Sequence, residues 1–449
     1  MFRSRSERLA DGKRVRSRLP REDQAHWPPP EQRRDPLAIL EQSNLGRLEH
    51  LTPIRYGRML HSPFTFLRGS AALMAADLAS LPNTGLQVQA CGDCHLLNFG
   101  FFATPERHLV FDLNDFDETH PAPWEWDLKR LAVSFVVAAR DNNCSESDAK
   151  DAAIACVGAY REHLREYSRM SPLEVWYARL EMEDIIAAAP DAKSMALRRE
   201  LAKKAEQRIA ENLFPKVVSV VAGQPRFVDQ PPLLYHLKEA NAEAMMRDGL
   251  EAYRQSLSEE RRTLLDRYTL VDFAQKVVGI GSVGTRCYVL LLLSEENHPL
   301  ILQAKEARRS VLEPYTQPSR YDNQGERVVM GQRLMQSSSD IFLGWVRGQR
   351  GYDNYVRQLR DMKLSIPVEE VSAVQLKRYA QYCGWSLARA HAKSGDGATI
   401  SGYLGKANRF DDALGSFAIS YADQNEQDHA AFVKAGRQGR IEVLQEDAF

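Results

Sequence analysis

No apolar run in this sequence approaches the roughly 20 residues that a membrane-crossing helix needs. The longest are strand-like pieces such as residues 288–293, so no membrane partner is expected. An excess of charge of one sign is missing as well. Lys and Arg number 59 against 60 Asp and Glu, a formal net charge of -1, so there is no whole-protein pull toward nucleic acid, which is not an expected partner. Cysteine is sparse, six in 449 residues. Cys144, Cys156, Cys287 and Cys383 are scattered, and such usage fits reduced thiols in a cytosolic chain. The opening stretch MFRSRSERLADGKRVRSRLP lacks the apolar segment of a secretory signal, so a cytoplasmic location is expected.

With 44% hydrophobic residues, the chain has room for two or three lobes. No internal repeat is found. Residues 1–36 begin basic and continue into Trp27-Pro28-Pro29-Pro30, which reads as a disordered basic arm and extended linker lying outside the fold. Order is expected from Asp35 onward. Ser62-Pro63 is a helix start, and the segment after it keeps Phe66, Leu73, Met74 and Leu78 at helical spacing until Pro82. Helices are expected over 145–168, 172–188 and 191–213, with a strand or buried connector at 217–221.

The most informative stretch is VQACGDCHLLNFGFFATPERHLVFDLNDFDETHPAPWEWDLKRL, residues 88–131. A strand at 86–90 delivers Asp93 to a loop, and Asn98 comes at an offset of five. Apolar strands at 99–102 and 108–113 flank the turn 104–107 and end on Asp112, Asp115 and Asp117. A protein-kinase catalytic loop has the same layout, with an Asp near the attacking hydroxyl, an Asn five residues on at a metal ion, and a metal-binding Asp across a hairpin. On this reading Asp93 is the catalytic base. Asn98 and a hairpin aspartate hold magnesium; the spacing to Asp127 selects Asp115 with Asp117 assisting, whereas the hairpin length would suit Asp112, and Asp127 buttresses the loop. The plainer possibilities are that Asp93 caps a turn and that His95 is a satisfied core histidine. Cys91, Cys94 and His95 also spell the C-x-x-C-H pattern of haem attachment. That chemistry belongs to exported chains, so both cysteines are assigned to packing.

A second region lies far downstream, in FAQKVVGIGSVGTRCYVLLLLSEENHPLILQAKEARRSVLE, residues 273–313. Gly279, Gly281 and Gly284, with Ser282 between them, spell G-x-G-x-x-G. The residues after Gly284 are β-branched, aromatic and apolar, so the loop joins two strands rather than opening a helix, which favours a kinase-type phosphate loop over a dinucleotide-binding one. The third strand ends on Lys305, a candidate phosphate-holding lysine. Glu313 is the candidate to orient it, with Glu306 competing. The plainer alternatives are that the glycines mark only a tight hairpin and that Lys305 is a solvated surface lysine. Arg55, Arg58, Arg68, Arg357 and Lys363 are further candidates for binding an anionic substrate.

Through SPFTFLRGSAALMAADLA, CGDCHLLNFG, FDLNDFDETHPAPWEWDLKRL, GIGSVGTRCYVLLL, LILQAKEA, GQRLMQSSSDIFLGW and YVRQLRDMK, the chain is identified as a member of the bacterial family called domain of unknown function twenty-two fifty-two. The blocks cover most of residues 55–395, and the family's name carries no activity. More widely, CGDCHLLN with DFDETHPAPWEWDL after it is similar to the pattern of aminoglycoside and choline phosphotransferases, within the protein-kinase-like fold. That resemblance implies Asp93 as base and Asn98 with a hairpin Asp on magnesium. Cys91 stands where those enzymes have His.

In ordinary kinases the glycine loop precedes the catalytic loop, whereas here the order is reversed, so a single site would require circular permutation, which surface termini tolerate. The expected fold class is therefore α+β, a two-lobed protein-kinase-like fold, circularly permuted, with helical additions. A helical lobe is placed at 37–268, a nucleotide-clamping β lobe at 269–350, and helices at 351–449 beside a hinge near 331–336. The expected function is ATP- and magnesium-dependent phosphorylation of a hydroxyl on an unidentified small molecule or protein. The alternatives are nucleotidyl transfer by the same residues, or a silent nucleotide-binding scaffold. If one cleft is formed, Lys305 and Asp115 should approach within about 10 Å, beside a five-stranded sheet.

Overall fold

A computed structural model of the chain describes residues 3–359 and 361–444. The helix Trp124–Asp141 is buried continuously from Trp124 to Ala139, charged residues Glu125, Asp127, Lys129 and Arg130 included. Around it pack the helices Glu146–Tyr167, Ala373–Ser394 and Arg409–Arg437. The first two of these come very close at Gly384, where a Cβ would collide with the carbonyl of Cys156. The residues expected as one helix after Ser62 form two, Pro63–Gly69 and Ala71–Ala79, broken at Ser70.

Twelve strands are numbered in chain order. Strands β1 (Gln87–Ala90) and β4 (His120–Pro123) pair with each other, as do β2 (Phe99–Ala103) and β3 (Leu109–Leu113). β5 (Val218–Val221) and β6 (Gln224–Phe227) form an edge hairpin. β7 (Leu234–Tyr235), β8 (Thr269–Lys276), β9 (Cys287–Leu293), β10 (Pro299–Glu306), β11 (Gly344–Arg347) and β12 (Asp353–Gln358) make one antiparallel sheet in the order β11-β12-β10-β9-β8-β7. Six strands thus replace the expected five, and β12 carries the sheet past the boundary placed at 350. The helices Ala242–Arg254 and Glu259–Leu265, assigned to the helical lobe, instead cover one face of this sheet through Tyr253, Leu257 and Leu265. Residues 331–336 are not a hinge; all but the last belong to the helix Gln324–Met335.

The basic arm is also not outside the fold. Ser4 caps the helix Arg5–Val15, which lies against the helix Gly397–Leu404. Gly402 sits so near that a Cβ would strike the Leu9 carbonyl. The arginines that read as solvated serve the C-terminal end of that second helix, where carbonyls lack intrahelical partners. Arg16 donates to Tyr403 and Gly402 carbonyls, and Arg21 to that of Leu404. Trp27 is buried, with its ring 4.9 Å from that of Tyr421. Among the described residues, no helix is long and apolar enough to cross a membrane.

Candidate functional site

β1 ends at Ala90, and the loop after it is fixed from below by Asp127, near the start of the buried helix. The Asp127 carboxylate accepts the backbone N–H groups of Cys91 at 2.6 Å and Gly92 at 2.9 Å, with His391 Nε2 3.2 Å from Oδ2. This is the buttress expected of Asp127. Gly92 takes a left-handed φ of 86° and lies against the Glu118 carbonyl, so no side chain fits there.

Asp93 is thereby held at the mouth of the loop. Its Oδ1 accepts from Arg130 Nε at 2.7 Å, and Arg130 also donates to the Leu67 carbonyl. Oδ2 points toward the glycine loop, where a Cβ on Gly281 would lie 4.0 Å from it. The Asn98 amide donates to the Asp93 carbonyl, leaving its Oδ1 beside the cleft. Arg130 was not among the sequence candidates. It comes three residues after Asp127, so the two share a helix face, and a charged residue inside an apolar helix is the signal that could have exposed it.

The three hairpin aspartates separate by their partners. Asp112 is fully buried and bound by Arg389, 2.7 Å and 2.8 Å from its two oxygens, and by the Ser337 N–H. Its oxygens are consumed structurally. Asp117 and Asp115 instead face Lys305, whose Nζ is 2.5 Å from Asp117 Oδ2 and 3.7 Å from Asp115 Oδ2. The expected close approach of Lys305 and Asp115 is thus met. Tyr355 donates to Asp117 Oδ1 at 2.7 Å, and Ser282 to its Oδ2 at 3.0 Å. Burial opposes the charge on Lys305, but Asp115 and Asp117 outweigh it and raise its pKa well above the usual lysine range. Burial likewise works against the Asp115 carboxylate, and Lys305, Arg357 and Lys363 together hold its pKa below the usual value.

Neither glutamate proposed to orient Lys305 does so. Glu313 accepts from Arg309, four residues before it, at 3.0 Å. Glu306 accepts from Arg286, side chain and N–H alike. Nearer cations satisfy both, and the two aspartates take the lysine. The glycine loop does sit over the same cleft, with φ of 63° at Gly279 and 86° at Gly284. Arg47 and Arg58 brace it through the carbonyls of Val283 and Gly279. Arg55 is spent on Asn44 and the Gly69 carbonyl. Arg357 and Lys363 line a separate, smaller cavity of about 60 Å³.

The cleft itself encloses about 370 Å³ and brings together Asp93, Asn98, Asp115, Asp117, Gly281 and Ser282. The glycine loop lines it through Gly279, Ile280, Gly281 and Ser282. On the sheet face that bears Lys305, the apolar positions farther along the strands, Val289, Leu291 and Ile301, are covered by Leu213, Phe227 and Leu234. Among the described residues there is no group of three metal-ligating side chains. The oxygens of Asn98, Asp115 and Asp117 nevertheless suit magnesium, which takes one or two carboxylates and completes its shell with water and phosphate.

His95 is not the satisfied core histidine expected. It is 4% exposed, its Nδ1 has no hydrogen-bond partner among the described residues, and burial pushes its pKa down to about 3. Cys91 and Cys94 are buried free thiols. Cys91 donates to the Asp115 carbonyl at 3.3 Å, and burial drives Cys94 well above the ordinary thiol range. A reactive thiolate needs the opposite environment. Replacing both cysteines by Ala is expected to lower stability by about 1–3 kcal/mol for the lost packing. Calorimetry and urea unfolding check this, and a bound haem or redox activity lost in the variant would contradict it.

Neither curated proteins nor solved structures yield a match to the chain. Residues 47–435 match the family described as "Uncharacterized protein conserved in bacteria (DUF2252)", and the chain belongs to that family.

Proposed function

We propose that the protein is an ATP- and magnesium-dependent phosphotransferase acting on a hydroxyl, with a kinase-like site whose two halves occur in permuted order along the chain. One observation carries the reading. Lys305, at the end of the second strand after the glycine loop, lies against Asp117 and Asp115, beside the cleft that Asp93 and Gly281 share. These groups come from two distant sequence blocks, and phosphoryl transfer needs mainly such positioning and charge stabilisation.

Asp93 offers Oδ2 to the acceptor hydroxyl proton while Arg130 fixes the carboxylate by Oδ1. Asn98, Asp115 and Asp117 would hold magnesium, which neutralises charge on the phosphates. Lys305 exchanges its contact with Asp117 for a phosphate oxygen, and the loop at Gly281 and Ser282 brings backbone N–H groups close to the phosphates, since no side chain at Gly281 stands in the way. The reading places the protein in the cytoplasm, where ATP is available.

ATP labelled at the γ-phosphate or the α-phosphate, incubated with the protein, magnesium and a small-molecule or protein extract, tests the reading. Label transferred only from the γ-position is expected. Transfer from the α-position would make the protein a nucleotidyltransferase, and binding without transfer of either label would leave a nucleotide-binding scaffold.

A further inference from the structure

We propose that the acceptor carries an oxyanion, either a carboxylate or a phosphate, beside the hydroxyl presented to Asp93, and that Arg68 and His95 form the subsite that binds it. The inference rests on the phosphoryl-transfer reading and names the substrate class of the same cleft.

Several arginines line the cleft, and most are already committed. Arg47 donates to the carbonyls of Ser43 and Val283. Arg308 donates to those of Ser43 and Leu45, and Arg309 is paired with Glu313. Arg68 differs. It comes from the helix Pro63–Gly69, lines the cleft with Asp93 and His95, and its Nε has no hydrogen-bond partner among the described residues. Burial lowers its pKa, opposed most by Asp93 and then by Glu369.

His95 supplies the second, independent observation. Its ring is buried, its Nε2 is 3.8 Å from Asp93 Oδ2, and its Nδ1 is unpartnered. A buried polar atom without a partner is costly. Two of them on the wall that carries Asp93 describe a place built for something with acceptor atoms. Arginine suits an oxyanion because its planar fork donates two parallel hydrogen bonds, and the neutral imidazole adds a donor without adding charge in the tautomer that carries its proton on Nδ1. The donor phosphates are assigned to Lys305, which contacts Asp115 and Asp117 and not Arg68 or His95, and this leaves the Arg68–His95 pair for the acceptor.

Inorganic phosphate, titrated calorimetrically into the full chain, probes the subsite. Lys305→Ala removes the lysine of the donor side, and phosphate affinity in that variant is expected to stay within about threefold. Adding Arg68→Gln should lower it by about tenfold or more, the loss of a charge-assisted hydrogen bond, and Arg68→Lys should recover part of it. Arg68→Gln alone should leave ATP–magnesium affinity within about threefold.

Equal phosphate affinity with and without Arg68, in variants folded by circular dichroism, would overturn the subsite. So would loss of ATP–magnesium binding in Arg68→Gln, which would assign the arginine to the donor. If phosphate binds in an Arg68-dependent way but ATP–magnesium does not bind the native chain, the oxyanion subsite stands and the phosphoryl-transfer reading fails.

Discussion

Replacing Asp93 with Asn is expected to lower phosphoryl transfer on the order of a hundredfold or more, the usual contribution of a positioned general base, while ATP–magnesium affinity changes little. The substitution keeps the shape of the side chain and removes its charge. The geometry gives this two consequences, which can be measured apart. Oδ2, which faces the glycine loop, can no longer take a proton. Oδ1 can still accept from Arg130, but that arginine, whose side chain is 3% exposed, loses its countercharge. Breaking a buried pair costs about 3–5 kcal/mol when both partners are enclosed. Asp93 is 21% exposed, so a smaller loss of about 1–3 kcal/mol is expected by urea unfolding. Native circular dichroism with turnover untouched would remove Asp93 from the chemistry, whatever the stability change.

How much of this was legible in the sequence depended on whether the signal was local. The loop of Asp93 and Asn98, the hairpin after it and the buttress Asp127 were readable because spacing alone fixes them. Lys305 was readable for a similar reason, being the polar end of an apolar strand. Partner choice was not. Glu313 and Glu306 were plausible for Lys305 by proximity in sequence, but Arg309 lies four residues before Glu313 and Arg286 meets Glu306 at the start of β9, and these cations take them.

The arm before Asp35 misled for a related reason. Its arginines looked solvated because their acceptors, the carbonyls ending the helix Gly397–Leu404, lie at the far end of the chain and carry no sequence signal. The cover that Leu213 and Phe227 provide was likewise invisible, since an apolar face announces that it will be buried but not by what.

Replacing Lys305 with Ala is expected to weaken ATP–magnesium binding by about tenfold or more, the value of a charge-assisted hydrogen bond to phosphate. The native chain should bind ATP only when a divalent ion is present. The substitution also changes how stability depends on pH, and the carboxylates left behind set the sign. In the native chain Asp115 has its pKa held below the unfolded value of about 4, chiefly by Lys305 acting against burial. Its ionised form therefore stabilises the fold above that pH, and the contribution is lost as pH falls through the folded pKa.

Without the lysine, burial of Asp115 is opposed only by Arg357, Lys363 and the Asp117 N–H, so its folded pKa rises and the stability that its ionised form supplies above the unfolded pKa becomes smaller. Thermal unfolding between about pH 3 and 5 should thus show a smaller gain of stability with rising pH for Lys305→Ala than for the native chain. Magnesium should raise the melting temperature of the variant more than that of the native chain, because a cation can occupy the place the ammonium leaves between two aspartates. Unchanged, metal-independent ATP affinity in the variant, with parallel pH profiles, would detach Lys305 from the acidic hairpin in function and leave their contact an ordinary buried ion pair.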